Sequence, residues 1–203
     1  MAKRTVCLAL TGASGVQYAF RLLEVLLQQP ELKVYLMVTK AAHVVIGMDT
    51  DIKLSARPAE MQRELVERYA CDADKLRVFG EQEWTAPPAS GSNDIDAMVV
   101  CPCSMGALSA IAVGASNNLI ERGADTTLKE RKQLIIVPRE SPYSEIHLEN
   151  MLKLSRMGAV IVDANPGFYH RPQTLDELVD FVVVKILDQL GVDHQLLPKW
   201  GND

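Results

Sequence analysis

A glycine-containing loop, Thr11 to Gly15, lies between an apolar run at 6–10 and a helical pattern that begins at Val16. A strand, a tight turn and a helix N-terminus together present free backbone N–H groups and the positive end of the helix dipole to an anion. The spacing is Gly-x-x-Gly, and the next strand ends in Thr39-Lys40, where dinucleotide folds place an acidic residue. The loop therefore favours a phosphorylated ligand, and a mononucleotide over NAD. A plain strand-to-helix turn is the alternative.

Two further segments carry polar or charged residues directly after apolar runs. Pro102 to Ala107 is a second strand-to-helix turn, in which Ser104 is a good N-cap. Arg139 and Glu140 lie between two prolines at the end of another apolar run. Arg139 could bind a phosphate or a carbonyl group bidentately, and Glu140 could transfer a proton. A structural ion pair between them is the alternative.

The composition limits the classes of function. The chain has 203 residues, of which 48% are apolar, enough for the core of one domain. Its net charge of −5 argues against nucleic acid or an anionic membrane as the main partner. No run is apolar enough to span a bilayer and no signal-peptide pattern is present, so we expect a cytoplasmic protein. The cysteines and histidines lack metal-ligating spacing, so no metal site is predicted.

Apolar runs alternate with helical patterns, which predicts an α/β protein with a doubly wound, mainly parallel sheet flanked by helices. We expect strands at about 5–10, 33–39, 97–101, 133–137 and 159–162. We expect helices at about 16–27, 58–70, 104–114, 121–131, 144–157 and 174–190. Right-handed crossovers would then bring the C-terminal ends of the strands, and the segments that follow them, to one edge of the sheet.

We predict one domain over residues 1–190 and a C-terminal tail at 191–203 that packs on a neighbouring subunit. The tail contains Leu196, Leu197 and Trp200, and such apolar residues are rarely left together in water. Packing on the chain's own domain is the alternative.

Five motifs together resemble the flavin prenyltransferase family, within the homo-oligomeric FMN-binding, Rossmann-like flavoproteins. They are Thr-Gly-Ala-Ser-Gly at 11–15, Ala-Pro-Pro-Ala-Ser-Gly-Ser at 86–92, Cys-Pro-Cys-Ser at 101–104, Pro-Arg-Glu-Ser-Pro at 138–142 and Pro-Gly-Phe-Tyr-His-Arg-Pro at 166–172. The resemblance implies metal-independent transfer of a dimethylallyl group from dimethylallyl monophosphate to N5 of reduced FMN, with ring closure at C6. The product, prenylated FMN, would serve a partner decarboxylase of the ubiquinone-pathway or phenolic-acid type. The resemblance also implies a homo-oligomer, a dodecamer with sites shared between subunits.

The resemblance assigns roles to individual residues. FMN would be bound by Gly12, Ala13, Ser14, Thr39, Ser104, Met105, Gly106, Ala107 and Arg139. The allylic phosphate would be bound by Tyr169 and Lys185, in a pocket completed by Arg122, Lys129, Glu140 and the loop Ser90-Gly91-Ser92. The catalytic residues would be Ser14, Glu140, Lys129 and Arg122, and proton transfer would be the role of Ser14 and Glu140. Trp84 and Trp200 would offer aromatic faces to a developing allyl cation.

Two positions depart from the family pattern, and several roles have simpler alternatives. Gly106-Ala107 stands where Lys-Thr is often seen, and Lys185 stands where arginine is common. Lys185 could instead extend to solvent along an apolar helix face. Arg122 and Lys129, seven residues apart on one predicted helix, could form an ordinary solvated face.

Two other functions are possible on this fold. An FMN-dependent cysteine-decarboxylase-like enzyme would need an Asn-containing Pro-x-Met-Asn motif, which the sequence lacks, and a catalytic histidine, for which His43 is the candidate. A non-catalytic flavin carrier subunit would leave Glu140 and Lys129 without a role.

Overall fold

The computed structural model describes residues 4–198, in which six parallel strands form one sheet. The strands are β1 (Arg4–Leu10), β2 (Leu32–Val38), β3 (Leu76–Phe79), β4 (Ala97–Cys103), β5 (Gln133–Pro138) and β6 (Val160–Ile161). Their order across the sheet is β3-β2-β1-β4-β5-β6, so the chain reverses its direction of winding between β1 and β4. Ligands of doubly wound sheets bind at the carboxyl ends of the strands beside that point.

The helices are α1 (Val16–Gln28), α2 (Lys40–Asp49), α3 (Pro58–Arg68), α4 (Met105–Val113), α5 (Leu119–Lys129), α6 (Glu145–Arg156) and α7 (Leu175–Leu190). The predicted α/β class, the parallel sheet and the six predicted helices are confirmed. Two elements were not predicted. β3 has only four residues, and α2 exposes the apolar residues Val44 and Met48, so its sequence has no clear amphipathic period.

The sheet separates two apolar layers. Val6, Leu8 and Leu10 of β1 face the layer that α1 and α7 cover, whereas Cys7 and Ala9 face the layer that α4 and α5 cover. A strand buried on both faces reads as a continuous apolar run, which is why the central strands could be located from sequence.

The described part of the C-terminal tail packs on its own chain. Val192 is buried in the α1–α7 layer, and Leu196 and Leu197 pack against the same layer. Trp200 lies outside the described residues, so packing of the tail on a neighbouring subunit stays a prediction. Over residues 4–198, no helix combines the length and the apolar character that crossing a bilayer requires.

Candidate functional site

The first turn, Thr11–Gly15, joins β1 to α1 and holds a carboxylate of the chain itself. The Ser14 hydroxyl and the Gly15 backbone N–H both donate to Asp49 Oδ2, each at 2.8 Å. Gly15 has φ 102°, a left-handed conformation that favours glycine, and it is the N-cap of α1. The Asp49 carboxylate thus occupies the helix N-terminus where the sequence predicted an external phosphate. The amides of Gly12 and Ser14 have no hydrogen-bond partner within residues 4–198 and can donate to a ligand.

The unpredicted helix α2 lies along this turn. A Cβ built at Gly12 would come within 2.6 Å of Ala41 Cβ, closer than side chains pack, so glycine permits the approach. Ala41 is near the start of α2 and Asp49 is its last residue. Helix α2 therefore contacts the first turn at both ends, through Ala41 against Gly12 near its start and through the Asp49 hydrogen bonds at its last residue.

The second turn, Pro102–Ala107, joins β4 to α4 and is open. The Ser104 hydroxyl accepts from Ala107 N at 3.3 Å, but the amides of Met105 and Gly106 have no partner among the described residues. A Cβ at Gly106 would meet nothing within 4 Å. The Met105 side chain is buried, so this residue can offer a ligand only its backbone. Free amides at a helix N-terminus suit a phosphate.

Thr11 fixes the two turns to each other. Its hydroxyl donates to Pro102 O at 2.8 Å and accepts from Ser104 N at 2.7 Å, and its own N–H also donates to Pro102 O at 3.2 Å. The side chain is buried, at 1% exposure. A buried hydroxyl that uses both its donor and its acceptor capacity sets the spacing of the turns with little freedom.

Arg139 and Thr39 complete this edge of the sheet. Arg139 N donates to Cys103 O at 3.2 Å, and its side chain lines a cavity of about 350 Å³ together with Ser14. The Thr39 hydroxyl accepts from Ala42 N at 3.0 Å and so caps α2. All nine residues that the sequence assigned to FMN therefore follow β1, β2, β4 or β5 at one edge, and their role in binding FMN stays a prediction.

Glu140 follows β5 and is exposed. Its carboxylate accepts from Ser141 N at 3.1 Å, and no ion pair with Arg139 is present among the described residues. The cis Ser141-Pro142 peptide bond follows it directly. The predicted alternative of a structural ion pair is wrong, which leaves both side chains available to ligands.

The residues assigned to the allylic phosphate divide between two other surfaces. The first surface joins α5 to the loop at 89–92. Arg122 Nε donates to Ala89 O at 3.1 Å, and Arg122 Nη1 pairs with Asp125 Oδ2 at 2.7 Å. Lys129 pairs with Glu130, against which Gly91 packs, and the Ser90 and Ser92 hydroxyls lie 2.8 Å apart. Trp84, in the turn after β3, is 45% exposed.

The second surface is a cavity of about 190 Å³ formed by α7, the loop at 167–172 and the tail. Tyr169 and Lys185 both line it, and each contacts Phe181: the two aromatic ring centroids are 5.5 Å apart, and Lys185 Nζ lies 5.5 Å from the Phe181 centroid. This cavity shares no lining residue with the one beside Ser14 and Arg139. Because α5 and α7 cover opposite faces of the sheet, a single chain does not bring Lys129 and Lys185 together.

Sequence reasoning missed Asp49 and the role of Thr11. Asp49 ends a helix that the hydrophobic pattern did not reveal, and no local motif marks it. Thr11 stands in a motif that was recognised, but its bridge to the second turn depends on the pairing of β1 with β4. His43, the candidate for a decarboxylase histidine, lies in the first turn of α2, and burial lowers its pKa. Among residues 4–198, no group of three His, Cys, Asp or Glu side chains is placed to hold a metal ion.

Comparison with known proteins identifies the family. Residues 1–187 match the Flavoprotein family model. The flavin prenyltransferase UbiX of Pseudomonas aeruginosa is 57% identical over 97% of this chain and 93% of its own length. Two solved structures are each 36% identical and cover 98% of this chain. One is a dodecameric FMN-dependent UbiX-like decarboxylase from Escherichia coli O157:H7, with a TM-score of 0.87 over 100% of that chain. The other is AnUbiX (PadA1) in complex with FMN and dimethylallyl pyrophosphate, with a TM-score of 0.86 over 98% of that chain. On these similarities, the chain belongs to the flavin prenyltransferase family.

Proposed function

We propose that this protein transfers the dimethylallyl group of dimethylallyl monophosphate to reduced FMN, joining it to N5 and closing a ring at C6, without a metal ion. The product, prenylated FMN, passes to a partner decarboxylase. Family membership over nearly the whole chain supports the reaction type. The observation that carries the proposal is the presence of two separate phosphate-compatible regions, one for each phosphorylated substrate.

The first region fits FMN. The amides of Met105 and Gly106, unpartnered among the described residues, supply donors for its phosphate. Arg139, whose side chain lines a cavity with Ser14, supplies positive charge to the same ligand. The amides of Gly12 and Ser14 are placed to donate to another part of the same ligand. Reduced FMN supplies the nucleophilic nitrogen and the ring carbon of the reaction, and the protein's part is to hold and orient it.

The second region fits an allylic phosphate. The cavity on α7 combines the Lys185 ammonium and the ring of Tyr169 with apolar side chains that include Phe181 and Leu197. A cation beside an apolar wall matches a ligand that has a phosphate at one end and a branched hydrocarbon at the other. Lysine binds as a point charge, so it can follow the phosphate as it leaves.

Proton transfer falls to Ser14 and Glu140. Ser14 donates to Asp49, so a proton lost from the hydroxyl has an acceptor 2.8 Å away. Glu140 is exposed and has no cationic partner among the described residues, so its carboxyl is free to serve a ligand that covers it.

Complete sites require neighbouring subunits. The α5 surface and the α7 cavity lie on opposite faces of the sheet, so Arg122 and Lys129 can join Tyr169 and Lys185 only across a subunit contact. We therefore propose a homo-oligomer, a dodecamer like the similar structure from Escherichia coli, with Trp200 as part of the shared site.

One experiment tests the reaction. The protein is mixed anaerobically with reduced FMN and either dimethylallyl monophosphate or dimethylallyl pyrophosphate, and the flavin is analysed by mass spectrometry. We expect prenylated FMN with the monophosphate, both with and without EDTA. Unchanged FMN with both substrates would identify a flavin carrier. In a separate assay, a peptide with a C-terminal cysteine is added to the FMN-loaded protein, and release of carbon dioxide would identify a cysteine-decarboxylase-like enzyme. Activity lost in EDTA and restored by magnesium would overturn metal independence.

A further inference from the structure

The cavity on α7 contains a buried histidine to which no role has yet been given. His194 belongs to the C-terminal tail, lines the cavity beside Lys185, and has a side chain that is only 8% exposed. Its Nε2 lies 3.1 Å from Asp188 Oδ1 on α7, and Asp188 is half exposed. Its Nδ1 is buried and has no hydrogen-bond partner in the described part of the chain.

An unpartnered ring nitrogen in a buried side chain carries an energetic cost that a ligand in the cavity would remove. Asp188 contacts the ring through Nε2, which leaves Nδ1 as the nitrogen without a partner in the described chain. When the imidazole is protonated, both nitrogens are donors, so the ring can bond Asp188 on one side and a phosphate oxygen on the other.

The other groups around the cavity favour the same kind of ligand. Lys185 has no carboxylate partner among residues 4–198. His170 stacks on Phe181 with its ring 5.4 Å away, and both of its nitrogens are buried without a partner in that part of the chain. Among the described residues that line the cavity, Asp188 is the one carboxylate, and its Oδ1 contacts His194. Two imidazoles and an ammonium above an apolar wall suit a phosphate monoester with a hydrocarbon tail.

We propose that His194 binds the phosphate of the allylic substrate together with Lys185, and that Asp188 is a positioning residue that orients the His194 ring. This inference rests on the proposed function for the identity of the substrate. It adds a phosphate-binding residue that belongs to the tail rather than to α7 or the loop at 167–172. The tail residues at 192–197 then have a second role besides packing, because they supply a phosphate-binding group to the wall of the α7 cavity.

The test uses the full-length, FMN-loaded protein and the variants His194→Ala, His194→Asn and Asp188→Asn. Calorimetric titration of the oxidised protein with dimethylallyl monophosphate measures binding without turnover, and steady-state assays give KM and kcat for the same substrate. We expect His194→Ala to raise both Kd and KM about 10-fold, which corresponds to about 1.4 kcal/mol. Asp188→Asn should raise KM about threefold and leave kcat nearly unchanged. FMN affinity should not change in any of them.

Gln195→Ala and Asp193→Asn are matched controls, because both residues are exposed neighbours of His194 that do not line the cavity. Values of Kd and KM for His194→Ala within twofold of the unmodified protein would overturn the inference. If His194→Ala does not retain FMN, His194→Asn, which keeps the size and one N–H donor, decides the question by the same titration. Failure of the unmodified protein to prenylate FMN would refute the proposed function alone, because the titration still reports whether His194 binds a phosphate ester.

Discussion

The two turns at the sheet edge look alike in sequence, yet within residues 4–198 only the first holds a carboxylate of the chain itself. Each follows a central strand, contains a serine and leads into a helix. In the first turn, the Asp49 carboxylate lies at the N-terminus of α1 and accepts from Ser14 and Gly15. In the second turn, the N-terminus of α4 is open, with unpartnered amides at Met105 and Gly106 in the described structure.

The difference assigns different chemistry to the two turns. A helix N-terminus stabilises negative charge, so the carboxylate beside α1 disfavours a ligand phosphate at that turn. We therefore propose that the second turn binds the phosphate. The first turn instead couples a hydroxyl to a carboxylate, an arrangement suited to moving a proton. Thr11 holds the two functions at a fixed separation.

The largest effect should come from removing the proton acceptor of the first turn. Asp49→Asn keeps an oxygen that can accept from Ser14 and Gly15, so folding and FMN affinity should change little. An amide cannot take up a proton, so product formation should slow by about 10³–10⁴-fold. Single-turnover mass spectrometry of the flavin measures this rate. A rate close to that of the unmodified protein would show that the contact between Ser14 and Asp49 is purely structural.

A smaller loss is expected at Glu140, which stands beside the open turn but is exposed in the single chain. Glu140→Gln should slow product formation by about 10²-fold and leave FMN affinity unchanged. Glu145→Gln, at an exposed position in the first turn of α6, is the control. If Glu140→Gln proves more damaging than Asp49→Asn, the main proton transfer belongs beside the second turn and our comparison is reversed.

The link between the turns can be broken with one substitution. Thr11→Val keeps the shape of the side chain but leaves the partly buried Ser104 N–H without an acceptor, which should cost about 1–3 kcal/mol. For a chain of this length, the Tm should fall by about 2–4 °C for each kcal/mol. Thr11→Ser keeps the hydroxyl and should lose less. Thermal denaturation with and without FMN measures both variants, and an unchanged Tm for Thr11→Val would show that the turns do not depend on this bridge.

The same substitution in each turn should have different consequences. Gly12→Ala forces a methyl group to within 2.6 Å of Ala41 and should destabilise the FMN-free protein by about 1–3 kcal/mol. Gly106→Ala places its methyl in open space, so it should leave stability unchanged or raise it by about 0.4–1 kcal/mol. It should nevertheless weaken FMN binding severalfold, because that space is where we place the phosphate. Denaturant unfolding and fluorescence titration with FMN separate the two effects, and equal behaviour of the two variants would contradict the distinction.

The fold was largely accessible from sequence because the central strands are buried on both faces, and their continuous apolar runs are unmistakable. The sequence pattern does not predict β3 and α2, and the reasons are physical. A four-residue strand carries little pattern, and α2 buries only Ala42 and Ile46 while exposing Val44 and Met48. Because the sequence pattern does not predict α2, it does not bring Asp49 to the first turn, and the turn by itself predicts an anion site.

The sequence by itself determined the residues that follow strand ends, because the carboxyl ends of parallel strands must share one edge. Its motifs also determined the family. Only the tertiary structure decided which helix N-terminus holds a carboxylate, because Asp49 lies 34 residues beyond Gly15 along the chain. Only the tertiary structure divided the allylic-phosphate residues between opposite faces of the sheet and placed His194 beside Lys185. Motifs record local backbone geometry, whereas the charge and the hydrogen-bond partners at a site depend on segments that meet only when the chain has folded.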